Sequence, residues 1–296
     1  MSSSPFFSIV VPTYNREHFI VRTLQSLLSI NYSQFEIIVV DDGSTDNTEL
    51  VVNQIKDSRL AFYKKPNAER AAARNFGARH AKGDYVNFFD SDDLAYPNHL
   101  ETAARAVSEF ASPEIFHQGY DVKDADGVLI RSAADWPKTI NKHLINGNHL
   151  SCNGVFLRSD IARQFPFNEI RALSASEDFE LWLRLAARFP IYCMNGVTST
   201  VVNHDARSVL TINLPGLLKR IELLRSSLLQ DEKFCSQYLD QISGLDASFN
   251  YYIALHSLLA NYPKSKAIPY LIKAVQARPT TIFSRQFLAI VKKLLL

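Results

Sequence analysis

Gly83-Asp84-Tyr85-Val86-Asn87-Phe88-Phe89-Asp90-Ser91-Asp92-Asp93 is the stretch that decides the fold. It opens at a turn glycine, runs through an apolar, aromatic segment with the character of a buried strand, and stops in three carboxylates. Like charges crowded at the mouth of a buried strand repel one another unless something positive lies among them. A hard divalent cation, Mg2+ or Mn2+, held by one or two carboxylates and a substrate's phosphates, meets that requirement. The competing reading makes Asp92 or Asp93 the cap of a helix suggested by Tyr96-Pro97-Asn98-His99-Leu100. One aspartate suits a cap and three after a strand suit a site, with Asp93 alone left open as the cap.

Upstream, two more strands end in the same abrupt way. Phe6–Val11 is an apolar run closed by Pro12 and followed by Thr13-Tyr14-Asn15-Arg16, after which Phe19, Ile20, Leu24, Leu27 and Leu28 recur at helical spacing. Glu36–Val40 stops at Asp41-Asp42-Gly43-Ser44-Thr45-Asp46, where Ser44 to Asn47 offer helix caps and Asp46 reads as a turn or cap residue. A helix through Leu50, Val51 and Ile55, a strand at Leu60–Tyr63 and an Ala- and Arg-rich helix over Asn67–Ala81 lead back to Gly83. Strands alternating with helices predict a mainly parallel sheet built by right-handed crossovers. In such sheets ligands bind beyond the carboxyl ends of the strands, where the clusters Pro12–Arg16, Asp41–Asp46 and Asp90–Asp93 all fall. A nucleotide fits: Asp41 or Asp42 can accept a hydrogen bond from a base or ribose, and Thr13 and Asn15 offer donors and acceptors. Arg70 and Arg74 are within reach of a base or phosphate, against the plainer reading of a solvated helix face.

The bulk numbers exclude several classes. The chain has 296 residues, 47% hydrophobic and 21% charged, enough for one sizeable α/β domain with an appendage or for two modest ones. A formal charge of +2 gives no case for nucleic acid as the main partner. Cys152, Cys193 and Cys235 lie far apart without metal-ligand spacing and read as reduced thiols of a cytoplasmic protein. No run is apolar and long enough to span a bilayer, and Met-Ser-Ser-Ser-Pro-Phe-Phe lacks the features of a secretory signal. The expected location is cytoplasmic, with peripheral contact at the inner face of the membrane as the further option.

Ser8-Ile9-Val10-Val11-Pro12-Thr13-Tyr14-Asn15-Arg16, Ile37-Ile38-Val39-Val40-Asp41-Asp42-Gly43-Ser44-Thr45-Asp46, Ala73-Arg74-Asn75 and the opening stretch stand in one order that resembles the family 2 glycosyltransferases. The likeness is specific over the first hundred residues, continues loosely to about Ser208 and then fades. It implies a GT-A fold, Rossmann-like with helices flanking the sheet, that binds a nucleoside diphosphate sugar, a UDP-sugar foremost, with a divalent cation. Asp90-Ser91-Asp92 matches the family's Asp-x-Asp motif, so the resemblance makes Asp92 the chief metal ligand and puts Asp90 on ribose or metal-bound water. Pro12, Thr13, Tyr14, Asn15, Asp41 or Asp42, and Arg74 match nucleotide-binding positions, with Asp42 slightly preferred of the pair.

Beyond Glu109 the pattern loosens. Ile115–Val122 and Val128–Arg131 flank Lys123-Asp124-Ala125-Asp126-Gly127, which predicts a hairpin. Asn146–Asn153 and Phe165-Pro166-Phe167-Asn168-Glu169 read as loops, Gly154–Leu157 as a short strand and Val197–Val202 as another. Ser176-Glu177-Asp178-Phe179-Glu180-Leu181 opens a helix with Ser176 as cap, and two acids in a first turn need no more explanation than the helix dipole. The resemblance tips this, since Glu177-Asp178 matches the family's Glu-Asp pair: it implies Asp178 as general base and Glu177 as support on an acceptor hydroxyl. Asn203-His204-Asp205-Ala206-Arg207-Ser208 resembles the family's late His-x-x-Ser segment, with Val202 and Asn203 departing from the commoner pattern. It implies His204 as a metal ligand or diphosphate contact, and Arg207 as a weaker diphosphate contact.

From Leu214 the chain reads as helical, with Pro263, Pro269 and Pro279 as punctuation and a faint hairpin repeat between Tyr251–Asn261 and Ile268–Arg278. The segment from Phe283 to Leu296, apolar on one face and basic on the other, suits a membrane surface, a partner subunit, or its own helices. The expected division is a GT-A domain over 1–212, with a nucleotide-sugar half (1–110) and an acceptor half (111–212), and an all-α extension over 213–296. The expected reaction is inverting, metal-dependent transfer of one hexosyl or N-acetylhexosaminyl unit to a hydroxyl of a glycan or lipid-linked acceptor, as in cell-surface polysaccharide or lipopolysaccharide assembly. Two alternatives stay beside it: a sugar-1-phosphate nucleotidyltransferase, which should carry a glycine-rich phosphate loop that Pro12–Arg16 lacks, and a non-catalytic glycan-binding or assembly protein.

Overall fold

Continuous apolar runs such as Ile37-Ile38-Val39-Val40 suit strands covered on both faces, as in a parallel sheet flanked by helices. The computed structural model, which describes residues 4–204 and 213–295, contains such a sheet. Its strands are β1 (Phe7–Thr13), β2 (Phe35–Asp41), β3 (Leu60–Lys64), β4 (Tyr85–Phe88), β5 (Leu94–Ala95), β6 (Ile115–Asp124), β7 (Leu129–Arg131), β8 (Val155–Arg158) and β9 (Ile191–Asn203). The order is β3-β2-β1-β4-β8-β6-β9-β5, with β7 on β6. Pairing is parallel from β3 through β4 and between β6 and β9, and antiparallel where β8 and β5 join, so the sheet is mixed. β6 and β7 form the hairpin expected around Gly127, which takes a positive φ of 86° at the turn.

The helices of the first half are α1 (Ile20–Leu28), α2 (Thr48–Asn53), α3 (Glu69–His80) and α4 (His99–Glu109). α1 buries Ile20, Thr23, Leu24 and Leu27, a stripe at helical spacing that enters one core with Phe7, Ile9, Val11, Ile37 and Val39. Each such side chain contributes about 1.5–3 kcal/mol when fully withdrawn from water. Two glycines let backbones close in here. A Cβ on Gly77 of α3 would collide with Val10 of β1, and one on Gly83 would meet the backbone of Phe6, Phe7 and Ser8. The turn glycine that opens the acidic stretch is therefore fixed by β1 passing over it.

Asp93, left open as a helix cap, is not one. α4 starts at His99 with Asn98 before it and no side-chain cap. β5 intervenes, and the fully buried Asp93 carboxylate accepts from the Val202 N–H (2.8 Å) and Asn153 Nδ2 (2.7 Å). It ties the acidic loop to β9 instead.

The remaining helices are α5 (Asn141–Leu144), α6 (Ser159–Gln164), α7 (Glu177–Ala186), α8 (Leu214–Gln230), α9 (Glu232–Tyr238), α10 (Ile242–Leu259), α11 (Lys264–Ala277) and α12 (Arg285–Leu295). The described residues form two units, one of 4–140, 150–181 and 189–204 that holds the whole sheet, the other of 141–149, 182–188 and 213–295. The second unit is helical. Asn213 caps α8 by accepting from the Gly216 N–H (2.7 Å), and Asp231 caps α9 by accepting from the Phe234 N–H (2.9 Å). α10 and α11 meet through Tyr251, Ala254, Ala267, Leu271 and Ala274, where the alanines allow close approach, and Ile290 of α12 joins them. Pro269, read as punctuation, lies inside α11. It gives up one backbone hydrogen bond, and the packing of Ala267, Leu271 and Ala274 holds the helix through it. Cys152, Cys193 and Cys235 are free thiols. Among the described residues no helix is long and apolar enough to cross a membrane.

Candidate active site

Strand register brings the clusters together. Thr13 of β1 pairs with Asp41 of β2, and Val10 pairs with Phe88 of β4, so Asp90-Ser91-Asp92 leave the sheet beside the loop after Thr13. Hydrogen bonds then lace the loops across. The Asn15 N–H donates to Ser44 Oγ (2.9 Å), the Thr45 N–H to Asn15 Oδ1 (2.9 Å) and the Arg16 N–H to Thr48 Oγ1 (2.8 Å). Asn15 holds a positive φ of 50°, a conformation asparagine tolerates better than most residues. Asp46 fills the turn role read for it, accepting from the N–H groups of Thr48 (3.0 Å) and Glu17 (3.1 Å).

Asp41 and Asp42 are both buried but differently engaged. Asp41 Oδ1 accepts from Ser44, while its Oδ2 has no hydrogen-bond partner and lies 3.8 Å from Lys64 Nζ. Asp42 bonds Lys65 Nζ and accepts from the Ala68 N–H (3.0 Å). Pro12 and Thr13 are buried in β1, and the Thr13 hydroxyl has no partner, while Tyr14 is 46% exposed beyond them.

The centre of the arrangement is Arg74, only 2% exposed. Its guanidinium donates through Nη1 to Glu177 Oε1 (2.7 Å) and through Nη2 to Asp90 Oδ1 (2.8 Å), and it lies over the Phe167 ring at 5.2 Å. Burial opposes its charge, but Cys152, Asp90, Glu177 and Asp178 around it outweigh that and hold its pKa well above the usual value. The neighbouring Asn75 turns the other way and pins the loop after α6, bonding the backbone of Phe167 on both sides (2.9 Å each) and Glu169 Oε1 (2.8 Å). The Arg-Asn dipeptide thus does two jobs on α3. Arg70, one turn earlier, places Nε 3.9 Å from Glu177 Oε1.

Asp178 accepts from the Phe179 N–H (2.7 Å) at the start of α7. Burial, then the charge of Glu177, push its pKa up to about 6 against the pull of Arg74. On the far side of the acidic loop, Asp92 Oδ2 lies 3.2 Å from His204 Nε2 and 3.5 Å from Arg16 Nε. His204 stacks on Phe19 at 4.4 Å, and its Nδ1 has no hydrogen-bond partner. Arg207 lies outside the described residues.

Among the described residues no group of three or more side chains is set to hold a metal ion. The donor set nonetheless fits a Mg2+- or Mn2+-type ion, which takes one or two protein ligands and fills its shell with phosphate and water oxygens. Asp92 and His204 present a carboxylate oxygen and a ring nitrogen side by side, with Asp90 two residues away.

Two residues missing from the sequence-based set belong here. Asn153 accepts from the Asp90 N–H (2.9 Å) through Oδ1 and donates to Asp93 (2.7 Å), so one amide sets the spacing of the acidic loop. Thr23 Oγ1 bonds the carbonyls of Ser91 (3.0 Å) and Asp93 (2.8 Å) from α1. The only hint in sequence was that Asn153 closes an Asn-rich loop. Asn153→Leu should cost roughly 3 kcal/mol of stability, since it strips a charged acceptor and an amide of their partners. Urea unfolding checks this, and a loss well under 1 kcal/mol would contradict the bracing role.

A sheet of this order, with a polar loop after β1 gathered beside the acidic loops after β2 and β4, is the GT-A arrangement of glycosyltransferases. The chain belongs to glycosyl transferase family 2, whose family model matches residues 8–156. It is similar to the UDP-Glc:alpha-D-GlcNAc-diphosphoundecaprenol beta-1,3-glucosyltransferase WfgD of Escherichia coli, 31% identical over 179 residues that cover 60% of this chain and 68% of that one. Its fold matches S. aureus TarS 1-349 in complex with UDP-GlcNAc at a TM-score of 0.62 and 19% identity, covering 93% of this chain and 92% of that one. It also matches the mannosyltransferase PcManGT from Pyrobaculum calidifontis in complex with GDP-Man and Mn2+, at a TM-score of 0.58 and 16% identity over 99% and 86% of the two chains. The chain spans only 19% to 36% of the length of three longer Rickettsia relatives.

Proposed function

We propose that this chain transfers a single sugar, with inversion, from a UDP-sugar to a hydroxyl of a glycan or lipid-linked acceptor in cell-surface polysaccharide assembly. The observation that carries the reading is Arg74 joining Asp90 to Glu177, because it sets the acidic loop after β4 beside the acidic start of α7. In this reading Pro12 to Asn15, Asp41 or Asp42, and Ser91 cradle the nucleotide, and Asp92 with His204 holds a divalent cation on the diphosphate, Asp90 supporting it. A divalent cation held by these residues would supply charge neutralisation for the departing diphosphate. Asp178 takes the proton from the acceptor hydroxyl as it attacks from the face opposite the leaving group. Its raised pKa suits a base that must also release the proton afterwards. Glu177 has a buried Oε2 without a hydrogen-bond partner, available to an acceptor hydroxyl. Arg74, though matched to a nucleotide-binding position, is enclosed between carboxylates, which supports a positioning role; Arg70 is more exposed, which suits contact with a phosphate.

The substrates of the relatives support the substrate class. WfgD takes UDP-Glc and a diphosphoundecaprenol-linked acceptor, TarS is captured with UDP-GlcNAc, and PcManGT with GDP-Man and Mn2+. We assign the catalytic part to 1–212 and the helical extension to 213–296, the sheet lying wholly in the first. The test is UDP release from a panel of UDP-sugars with Mn2+, Mg2+ or chelator, followed by transfer to a lipid-linked sugar. Asp92→Asn should lower cation-dependent turnover by about 100-fold or more. Turnover unchanged by chelator would remove the cation from this reading. An Asp92→Asn protein that kept its full biological role would favour a non-catalytic glycan-binding protein.

A further inference from the structure

The helical unit carries a charge imbalance that the chain's net +2 conceals. No Asp or Glu follows Asp246, whereas seven lysines and arginines fall between Lys264 and Lys293. α12 spends its inner face on the core of that unit through Phe287, Ile290, Val291 and Leu294. Its outer face should then be polar, as on any surface helix. It is mixed instead: among exposed cations, Leu288 is 59% and Leu295 82% exposed, and Phe283, in the turn leading into the helix, is 82% exposed. Arg285, Leu288, Lys292 and Leu295 follow one another at spacings of three and four residues, which puts cations and leucines on a single stripe. Arg285, Lys292 and Lys293 form no ion pair among the described residues. α11 repeats the pattern with Lys264, Ile268 and Ile272, the two isoleucines being exposed.

We infer that the outer face of α12, with Phe283 ahead of it, docks on an anionic lipid bilayer. Leucine and phenylalanine between lysines suit the boundary between headgroups and acyl chains, where long basic side chains reach the phosphates and apolar ones enter below. An acidic protein would match the charge, but it would leave Phe283, Leu288 and Leu295 without a low-dielectric partner. The inference does not depend on the reading of the active site. It stands if no sugar is transferred, and it falls if vesicles are ignored by a fully active enzyme.

The test is flotation of the full chain with vesicles of 30% phosphatidylglycerol in phosphatidylcholine and with phosphatidylcholine alone. Binding should require the anionic lipid and weaken as salt rises. Each cation near such a surface is worth about fivefold in affinity, so the double variant Lys292→Gln, Lys293→Gln should bind roughly 25-fold more weakly. Phe283→Ser with Leu288→Ser should weaken binding to the same vesicles at any salt. All four positions are exposed, so unchanged helicity and melting temperature are expected to separate docking from folding. Equal binding to both vesicle types, binding indifferent to the lysine variants, or no binding at all would overturn the inference. So would concentration-dependent dimerisation abolished by Phe283→Ser, which would make a second copy the occupant.

Discussion

Asp178→Asn is expected to lower the transfer rate by about 10²- to 10⁴-fold while leaving donor binding nearly unchanged, the effect of deleting a positioned general base. The wild-type rate should fall as pH drops through about 6, where the Asp178 carboxylate takes up its proton. The same change should make the protein more stable. The folded-state pKa of Asp178 is raised by burial and by Glu177, so between the usual carboxylate range and about 6 the native state holds the proton that the unfolded state has lost. Stability from this group therefore declines as pH rises through that window and is lowest above it. Asn carries no such charge, so the variant should gain on the wild type above pH 6 and lose that advantage toward pH 4. Paired pH–rate and pH–melting curves measure both effects. A variant within threefold of the wild-type rate would remove Asp178 as the base, whatever its stability.

Arg74→Met is the second large effect. It would leave Glu177 buried, with Asp90 and Asp178 nearby, lacking the cation now between them. Breaking a buried ion pair from one side costs about 3–5 kcal/mol, and a shift of about 1 Å in the acidic groups costs around 10² in rate. Arg74→Lys should fall between, because an ammonium cannot span Asp90 and Glu177 with one planar fork. Adding Glu177→Gln to Arg74→Met should return about 1–3 kcal/mol, the coupling expected of groups in contact. Denaturant unfolding of the wild type, Arg74→Met, Glu177→Gln and the double variant gives that coupling directly. If Arg74→Met instead raised only the donor KM and left stability alone, Arg74 would be a nucleotide contact and the bridge would have no positioning role.

The chain's own order of residues determined most of the sheet and the three clusters at its strand ends, two of them acidic. Apolar runs of five or six residues ended by Pro12, Asp41 and Asp90 are local patterns, and parallel topology with its short crossovers places their ends on one edge. Recognition of Glu177-Asp178 required likeness to a family, since two acids in a first turn have a sufficient local reason to be there. What only the tertiary structure decided is the partner of each charge. Arg74 and Glu177 are separated by 103 positions, Asn153 and Asp90 by 63, and Asp93 and Val202 by 109. No periodicity reaches that far. The cost of burying an ion depends on what else is enclosed with it, which the folded packing fixes and the local sequence does not. For that reason Asp93 turned from a possible cap into a brace. Arg74, matched by its motif to a nucleotide, lies where two acidic motifs meet.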